Sequence, residues 1–223
     1  MTRTGVAARP APDFDERADT FMEWTQIHAR ELSIAAIVIV AVAIGAWLYA
    51  HARQVRSQAA SAGLATAEQA FSAGNAALAQ SDLERLIKRY PSTHAGKEAT
   101  LLLAQVLYQN GKYQQGITQL SALAGSDEKA IASGAENLTA AGYEELKKFD
   151  DAAQHYQKAA AITPYATYKD GYLASAARAY TEAGKTDEAK KIWQTLANDQ
   201  SSPSSAEAKV RLGQLEAKAG PKG

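Results

Sequence analysis

The side chains that most often perform acid–base or metal chemistry are scattered along this chain. No HxxxH or HExxH spacing brings two histidines onto one helix face, since the four lie far apart in the sequence: His28, His51, His94 and His155. The chain has no cysteine, which excludes a thiol nucleophile, cysteine-ligated zinc, disulfides and a lipid-modified N-terminal cysteine. A GxSxG nucleophile motif is also missing.

One short motif resembles a phosphate-binding loop. Gly184-Lys185-Thr186 matches the end of such a loop, but Ala179 stands where its first glycine is required. The same tripeptide separates two apolar-periodic stretches, so a turn between helices is the better interpretation.

The adjacent acidic pairs also have a simpler explanation than catalysis. Glu144-Glu145 and Asp150-Asp151 fall at predicted helix ends, where solvated carboxylates are common, and the second pair favours the dipole of the helix that it begins. We therefore predict that the protein is not an enzyme and that it has no catalytic, cofactor-binding or metal-binding residues and no cofactor.

Composition narrows the class of partner. The chain has 24 Lys and Arg against 24 Asp and Glu, so it lacks the excess of basic residues that nucleic-acid binding requires. Alanine is abundant and proline is rare, which favours helices. Proteins are the predicted partners.

An apolar run predicts a transmembrane helix. Residues 32–50 read LSIAAIVIVAVAIGAWLYA, which is 19 residues without a charge. That length crosses about 30 Å of hydrocarbon at about 1.5 Å per residue. Trp47 and Tyr49 at one end are typical of the membrane interface. We predict a single-pass anchor.

Two alternatives and one ambiguity accompany the anchor. A buried core helix of this length would usually carry polar residues. A cleaved signal peptide is favoured by Ala50-His51-Ala52, but the preceding region is acidic and the apolar run exceeds the usual 7–15 residues or so. The positive-inside rule does not decide the orientation of the anchor, because two arginines flank it on each side. They are Arg17, Arg30, Arg53 and Arg56.

The segments around the anchor are predicted to differ in order. Residues 1–31 form an N-terminal tail, of which residues 1–13 are predicted to be disordered. An apolar spacing over residues 14–25 favours either a short amphipathic helix or the first turns of the anchor. Residues 51–59 are a linker that continues as helix.

A repeat of 36 or 37 residues follows. The turn position recurs at Gly74, Gly111, Lys147 and Gly184, with spacings of 37, 36 and 37. Seven residues before it every unit has alanine, and five residues after it every unit has alanine or glycine. Small side chains at these two places let paired helices approach closely. Larger residues nine and twelve positions after the turn are predicted to fill the hairpin cores. Pro91 and Pro164 end units one and three.

This pattern resembles the tetratricopeptide repeat, most closely in FDDAAQHYQKA and its closing Pro164. The resemblance implies an all-α protein in which the N-terminal transmembrane helix is followed by a helical solenoid over residues 60–220. About four helix pairs and a capping helix over 206–219 are expected. The first helices are predicted at 60–73, 97–110, 132–146 and 169–183, and the second helices at 76–90, 113–124, 149–162 and 186–198.

The first helix of each pair is predicted to line a partner-binding groove. Ala141 and Ala174 fall in this set by register, and polar or aromatic members would contact an extended peptide. The predicted groove residues are Gln105, Tyr108, Gln109, Asn137, Glu144, Arg178 and Thr181. The Lys/Asn/Arg cluster with which some family members clamp a C-terminal carboxylate is missing from these positions.

The order of segments has a closer resemblance. An acidic N-terminal tail, a single anchor, and an Ala-rich helix leading to the RYPSTHAG turn (Arg89 to Gly96) are similar to the bacterial YfgM-like family, the ancillary subunit of the SecYEG translocon. The resemblance implies a cytoplasmic N-terminus, an inner-membrane anchor, and a periplasmic repeat domain. It also implies as partners the translocon, a membrane-anchored periplasmic chaperone and nascent clients. The longer Pro-containing tail departs from that family. An assembly factor for another envelope or respiratory complex, or a cleaved periplasmic protein of cell-envelope organisation, would show the same repeats.

Overall fold

The computed structural model describes residues 22–218, and every regular element in that range is helical. The chain divides into two compact units, one ending at Gln54 and the other beginning at Val55. The predicted tail over residues 1–13, and most of the helix predicted over 14–25, lie outside the described residues.

The first unit is dominated by the apolar segment. Residues 22–27 are helical, and helix α1 (Ala29–Ser72) contains the whole run from 32 to 50. Large apolar side chains along this run are exposed, including Ile37 and Trp47 at 68% and 64%. By length and composition α1 is a candidate membrane span, and its apolar window has no residue buried within the protein.

The second unit is a succession of antiparallel helices joined by short turns. The end of α1 pairs with α2, and three further pairs and a final helix follow. Their bounds are α2 Ala76–Arg89, α3 His94–Gln109, α4 Tyr113–Leu120, α5 Lys129–Glu145, α6 Phe149–Ile162, α7 Ala166–Glu182, α8 Thr186–Asn198 and α9 Ser205–Lys218. A tetratricopeptide-like solenoid is therefore confirmed.

The turn inside each pair has one backbone conformation. Gly74, Gly111, Lys147 and Gly184 all have positive φ, at 77°, 70°, 60° and 77°. The residue after each donates its N–H to a carbonyl five residues back, for example Lys112 to Leu107 at 2.8 Å. A residue in the left-handed conformation allows this hydrogen bond, which gives a donor to an otherwise unpaired carbonyl at the helix C-terminus. Glycine adopts the left-handed conformation without strain. The predicted register is thus confirmed at all four turns.

The small residues of the repeat lie where the paired helices touch. Ala67, Ala104, Ala140 and Ala177, seven residues before the turns, are all 0% exposed. Ala79, Ala152 and Ala189, five residues after the turns, are also 0% exposed, and Gly116 is buried. A larger side chain at these positions would separate the helix backbones.

Larger residues fill the space beside these contacts. Nine residues after the turns lie Leu83, Leu120, Tyr156 and Trp193, none more than 6% exposed. Burying each such side chain stabilises the fold by about 1.5–3 kcal/mol. The core clusters follow the repeats along the chain, so each hairpin is stabilised chiefly by its neighbours.

Helix ends differ from the predicted bounds in two ways. The first helices of repeats two, three and four each begin three residues earlier than predicted. For α3, which begins at His94, the cause is the Thr93 side chain, which caps the helix by accepting from the Gly96 N–H at 3.0 Å. The second helix of repeat two does not continue to 124 as an α-helix. It ends at Leu120, and Ser121–Leu123 form a 3₁₀ turn.

Candidate functional site

The predicted groove residues come from three first helices in the same register. Gln105, Tyr108 and Gln109 lie on α3, Asn137 and Glu144 on α5, and Arg178 and Thr181 on α7. Tyr108, Glu144 and Thr181 each precede their turn residue by three positions. Gln105 and Gln109 are exposed, whereas the other five are partly buried.

Tyr108 packs inside the junction between repeats two and three. Its hydroxyl donates to the main-chain oxygen of Leu138 at 3.0 Å, and burial raises the pKa of the phenol. Gly116 and Gly142 make room for the ring, since a Cβ at either position would come within 2.9 Å of ring carbons. The ring therefore fills a contact between helices and is only partly exposed, and its contact with a peptide stays a prediction.

Glu144 occupies the equivalent position one repeat later and is held differently. Its carboxylate accepts from the Tyr156 hydroxyl at 2.8 Å. Burial and this hydrogen bond both raise the pKa of Tyr156. The Glu144 carboxylate remains half-exposed at the surface while one oxygen is bound to the core.

Arg178 forms an ion pair between α7 and the last helix, α9. One guanidinium nitrogen lies 2.9 Å from both carboxylate oxygens of Glu207 on α9, and the other donates to Ser175 at 3.0 Å. Arg211 lies 3.5 Å from the same carboxylate. Two cations therefore share one anion where α9 packs on α7, and the binding of a partner by Arg178 stays a prediction.

The remaining predicted residues differ in whether their side chains already form hydrogen bonds. Thr181 donates to the Ala177 carbonyl at 2.8 Å. Within the part of the chain that the structure describes, the side-chain amides of Gln105, Gln109 and Asn137 form no hydrogen bond, so they can bind main-chain groups of another protein. Ala174 was expected to face the groove but is 2% exposed, because it packs in the core of repeats three and four.

A cavity of about 170 Å³ lies between repeat four and the last helix. Its walls combine two predicted residues with residues that the sequence analysis did not select. They are Arg178, Thr181, Glu182, Trp193, Arg211, Gln214 and Leu215. Trp193 is 1% exposed, and its indole N–H has no hydrogen-bond acceptor among the described residues. The repeat register could have found this site, because it places Arg211 and Leu215 at fixed distances after Gly184.

Histidine and carboxylate side chains elsewhere in residues 22–218 form ion pairs. No cluster of three His, Asp or Glu side chains suited to a metal ion occurs there. His94 and His155 form separate pairs with Glu128 and with Glu136. The loop-like motif Gly184-Lys185-Thr186 is the turn before α8, as predicted.

Comparison with protein families agrees with the repeats seen in the structure. Residues 23–137 match the family model described as a tetratricopeptide repeat-like domain, which is just over half of the 223-residue chain. The chain belongs to this family. Residues 175–220 separately match a tetratricopeptide repeat model, which covers the second half of α7 and all of α8 and α9. The first match begins before the apolar run and so includes it.

Solved structures share the fold at low sequence identity. A tetratricopeptide repeat protein from Parabacteroides merdae superposes with a TM-score of 0.57 at 16% identity, over 72% of this chain and 61% of that one. This chain therefore spans less than two thirds of that protein's length. A putative kinesin light chain with nearly identical repeats, from Podospora anserina, gives 0.59 and 16% over 75% of this chain and 89% of that one. A comparison with curated proteins found no match.

Proposed function

We propose that this protein is a membrane-anchored, non-enzymatic scaffold whose repeat domain binds other proteins. The observation that best supports binding is a set of amide side chains on the first helices that form no hydrogen bond within residues 22–218. They are Gln105, Gln109 and Asn137. Amides with free donors and acceptors recognise the main chain of an extended segment. Tetratricopeptide repeat-like domains generally mediate protein partnerships, so the family supports the same conclusion.

The apolar part of α1 is the proposed anchor. Its large side chains are exposed along the whole run, which costs free energy in water and none in lipid. In this proposal residues 1–31 are cytoplasmic, residues 32–50 cross the bacterial inner membrane, and residues 51–59 link the anchor to a periplasmic repeat domain over residues 60–220.

The proposed partner complex is the Sec translocon. The protein would act as an accessory subunit that links the translocon to periplasmic chaperones or to nascent secreted clients. Support comes from the resemblance to the YfgM-like family in segment order and in the RYPSTHAG turn. It also comes from a family match that includes the apolar run and the first repeats together. The alternatives are an assembly factor for another envelope or respiratory complex and a cleaved periplasmic repeat protein.

Site-specific photo-crosslinking tests this proposal. A photoreactive amino acid is placed at Gln105 or Gln109 of the full-length chain, and products formed in native membranes are identified by mass spectrometry. Gln119 is the matched control, because it is an exposed glutamine on a second helix. Translocon subunits and an extracytoplasmic chaperone cross-linked from the first helix, and not from Gln119, are the expected result.

Other outcomes distinguish the proposed partner complex from the proposed binding surface. Cross-links from Gln105 and Gln109 to a different membrane complex would contradict the translocon assignment and favour the assembly-factor alternative. Equal cross-linking from Gln119 would contradict binding on the first helices.

A further inference from the structure

The junction after repeat two holds a tyrosine ring, whereas a cavity lies at the corresponding junction after repeat four. Tyr108 lies three residues before Gly111 and occupies the junction between α3 and α5. Thr181 lies three residues before Gly184, in the same register, and is much smaller. The cavity of about 170 Å³ lies beside Thr181.

The walls of the cavity are the register equivalents of the residues around Tyr108. Leu138 and Gly142 follow Gly111 by 27 and 31 residues, and both lie against the Tyr108 ring or hydroxyl. Arg211 and Leu215 follow Gly184 by the same 27 and 31 residues, and both line the cavity. The cavity is therefore lined by residues in the same register as those that contact Tyr108 two repeats earlier.

We propose that this cavity receives a tyrosine side chain from an extended segment of the protein partner. The proposal rests on the proposed function and names the chemistry of one contact within it. Size permits the occupant, because a protein cavity of about 150 Å³ is large enough to hold a benzene molecule. Trp193 supplies an aromatic wall, and Leu215 supplies apolar contact.

The charges around the cavity favour an aromatic ring over a carboxylate. Arg178 and Arg211 both line the cavity, and guanidinium groups are attracted to the electron-rich faces of aromatic rings. Their charge is already balanced by Glu207, which binds both, and by Glu182 at the wall. An incoming carboxylate would therefore meet no net positive charge.

The polar groups favour tyrosine over phenylalanine. The cavity wall includes the side chains of Thr181 and Gln214, and the indole N–H of Trp193 has no acceptor among the described residues. A phenolic oxygen both donates and accepts hydrogen bonds, so it can satisfy such groups. In repeat two the corresponding hydroxyl is bonded in this way to Leu138.

The occupant comes from another protein, because a ring attached to this chain at the position equivalent to Tyr108 would not fit. Leu215 stands where Gly142 makes room for the Tyr108 ring, and Ala189 stands where Gly116 does. A ring attached at position 181 would meet both side chains. On the first helix the cavity is lined by Arg178, Thr181 and Glu182, and in this proposal the bound segment enters from that side.

The test uses the indole N–H signal of Trp193 in the full-length chain. The protein is ¹⁵N-labelled in detergent micelles, and Trp193→Phe assigns the signal among the three tryptophans. The probes are N-acetyl-tyrosinamide, N-acetyl-leucinamide and N-acetyl-aspartate amide. We expect a saturable shift of the Trp193 signal with the tyrosine probe, at about fivefold higher affinity than the leucine probe, from aromatic and guanidinium contacts. The aspartate probe should bind no better than the leucine probe.

A filled cavity provides the control. Thr181→Leu should abolish the saturable shift, whereas Thr118→Leu, the same change at an exposed position of α4, should leave it intact. If circular dichroism shows that Thr181→Leu unfolds the protein, Gln214→Leu replaces it as the filling variant. The proposal is overturned if no probe gives a saturable shift, if the leucine or aspartate probe binds as well as tyrosine, or if the filled cavity responds unchanged. The experiment needs no partner, so its failure is distinct from failure of the cross-linking test.

Discussion

Tyr108 donates its hydroxyl hydrogen to the main-chain oxygen of Leu138 at 3.0 Å, and this bond joins the first helices of repeats two and three. The Leu138 oxygen lies inside α5, so the hydroxyl shares an acceptor that the helix also uses. Gly142 is on the same helix, one turn later, and its missing side chain is what admits the ring.

Gly142→Ala should therefore destabilise the protein in spite of alanine's higher helix propensity. A Cβ there would lie 2.8 Å from both Tyr108 Cζ and Ile117 Cγ1, and neither group is free to move. Overpacking of this kind costs about 1–3 kcal/mol. The measurement is the free energy of unfolding by urea. Gly171→Ala on α7 is the control, because a Cβ there meets nothing within 4 Å and should stabilise by about 0.5–1 kcal/mol. A neutral Gly142→Ala would show that the junction can relax.

Lys147→Gly should stabilise the protein. Lys147 is the one non-glycine residue with positive φ among residues 22–218, at 60°. A side chain in this conformation costs about 1–2 kcal/mol, part of which is offset because glycine gains entropy in the unfolded chain. We expect a net gain below about 1 kcal/mol, measured as a rise in Tm. Lys147→Ala controls for loss of the contact between Lys147 Nζ and the Phe149 ring, 5.8 Å from its centroid. An equal Tm for the alanine and glycine variants would show that the backbone is not strained.

The repeat was predictable because its strongest signals are local and recur. A left-handed turn requires a residue that tolerates positive φ, and close helix contacts require small side chains, so Gly74, Gly111 and Gly184 and the buried alanines could be read from one chain. The start of α3 differs from the prediction because capping by Thr93 extends the helix beyond the apolar pattern.

The candidate site was less predictable because its geometry depends on pairs of residues from different repeats. Register alone places Tyr108 and Ala174 on a groove. In the structure the Tyr108 ring packs between helices against Gly116 and Gly142, and Ala174 is buried in the core. The cavity beside Trp193 also needs α9, which packs through Ala208 and Leu215 and forms the ion pair between Arg178 and Glu207. Whether the groove residues bind a partner stays a prediction.

The charge cluster at the start of α3 should make stability depend on pH. His94 pairs with Glu128 and Glu98, and Lys97 pairs with Glu128 and Asp127. The hydrogen bond with Glu128 is the main cause that raises the pKa of His94 above 6.5. Lys97, followed by His94, lowers the pKa of Glu128 below 4.5.

The two shifts act in opposite directions. The His94 contribution is complete below pH 6.5 and is lost as the pH rises through its higher folded-state pKa. The Glu128 contribution is complete above pH 4.5 and is lost as the pH falls through its lower folded-state pKa. The Tm difference between the wild-type protein and His94→Ala should therefore be largest between pH 4.5 and 6.5 and should shrink on either side. A difference that grew above pH 8 would contradict the pairing.

Labelling of single cysteines tests the proposed membrane topology directly. The chain contains no cysteine, so one introduced thiol reports on one position without background. Ser81→Cys places it at an exposed site on α2, and Thr4→Cys places it in the N-terminal segment. In bacterial spheroplasts a membrane-impermeant maleimide should label Ser81→Cys and spare Thr4→Cys, and both should react after lysis. The reverse pattern would place the repeat domain in the cytoplasm and exclude a periplasmic chaperone as partner.

The intact mass of the same samples distinguishes an anchor from a signal peptide, because cleavage after Ala52 would remove the apolar run and leave the repeats unattached.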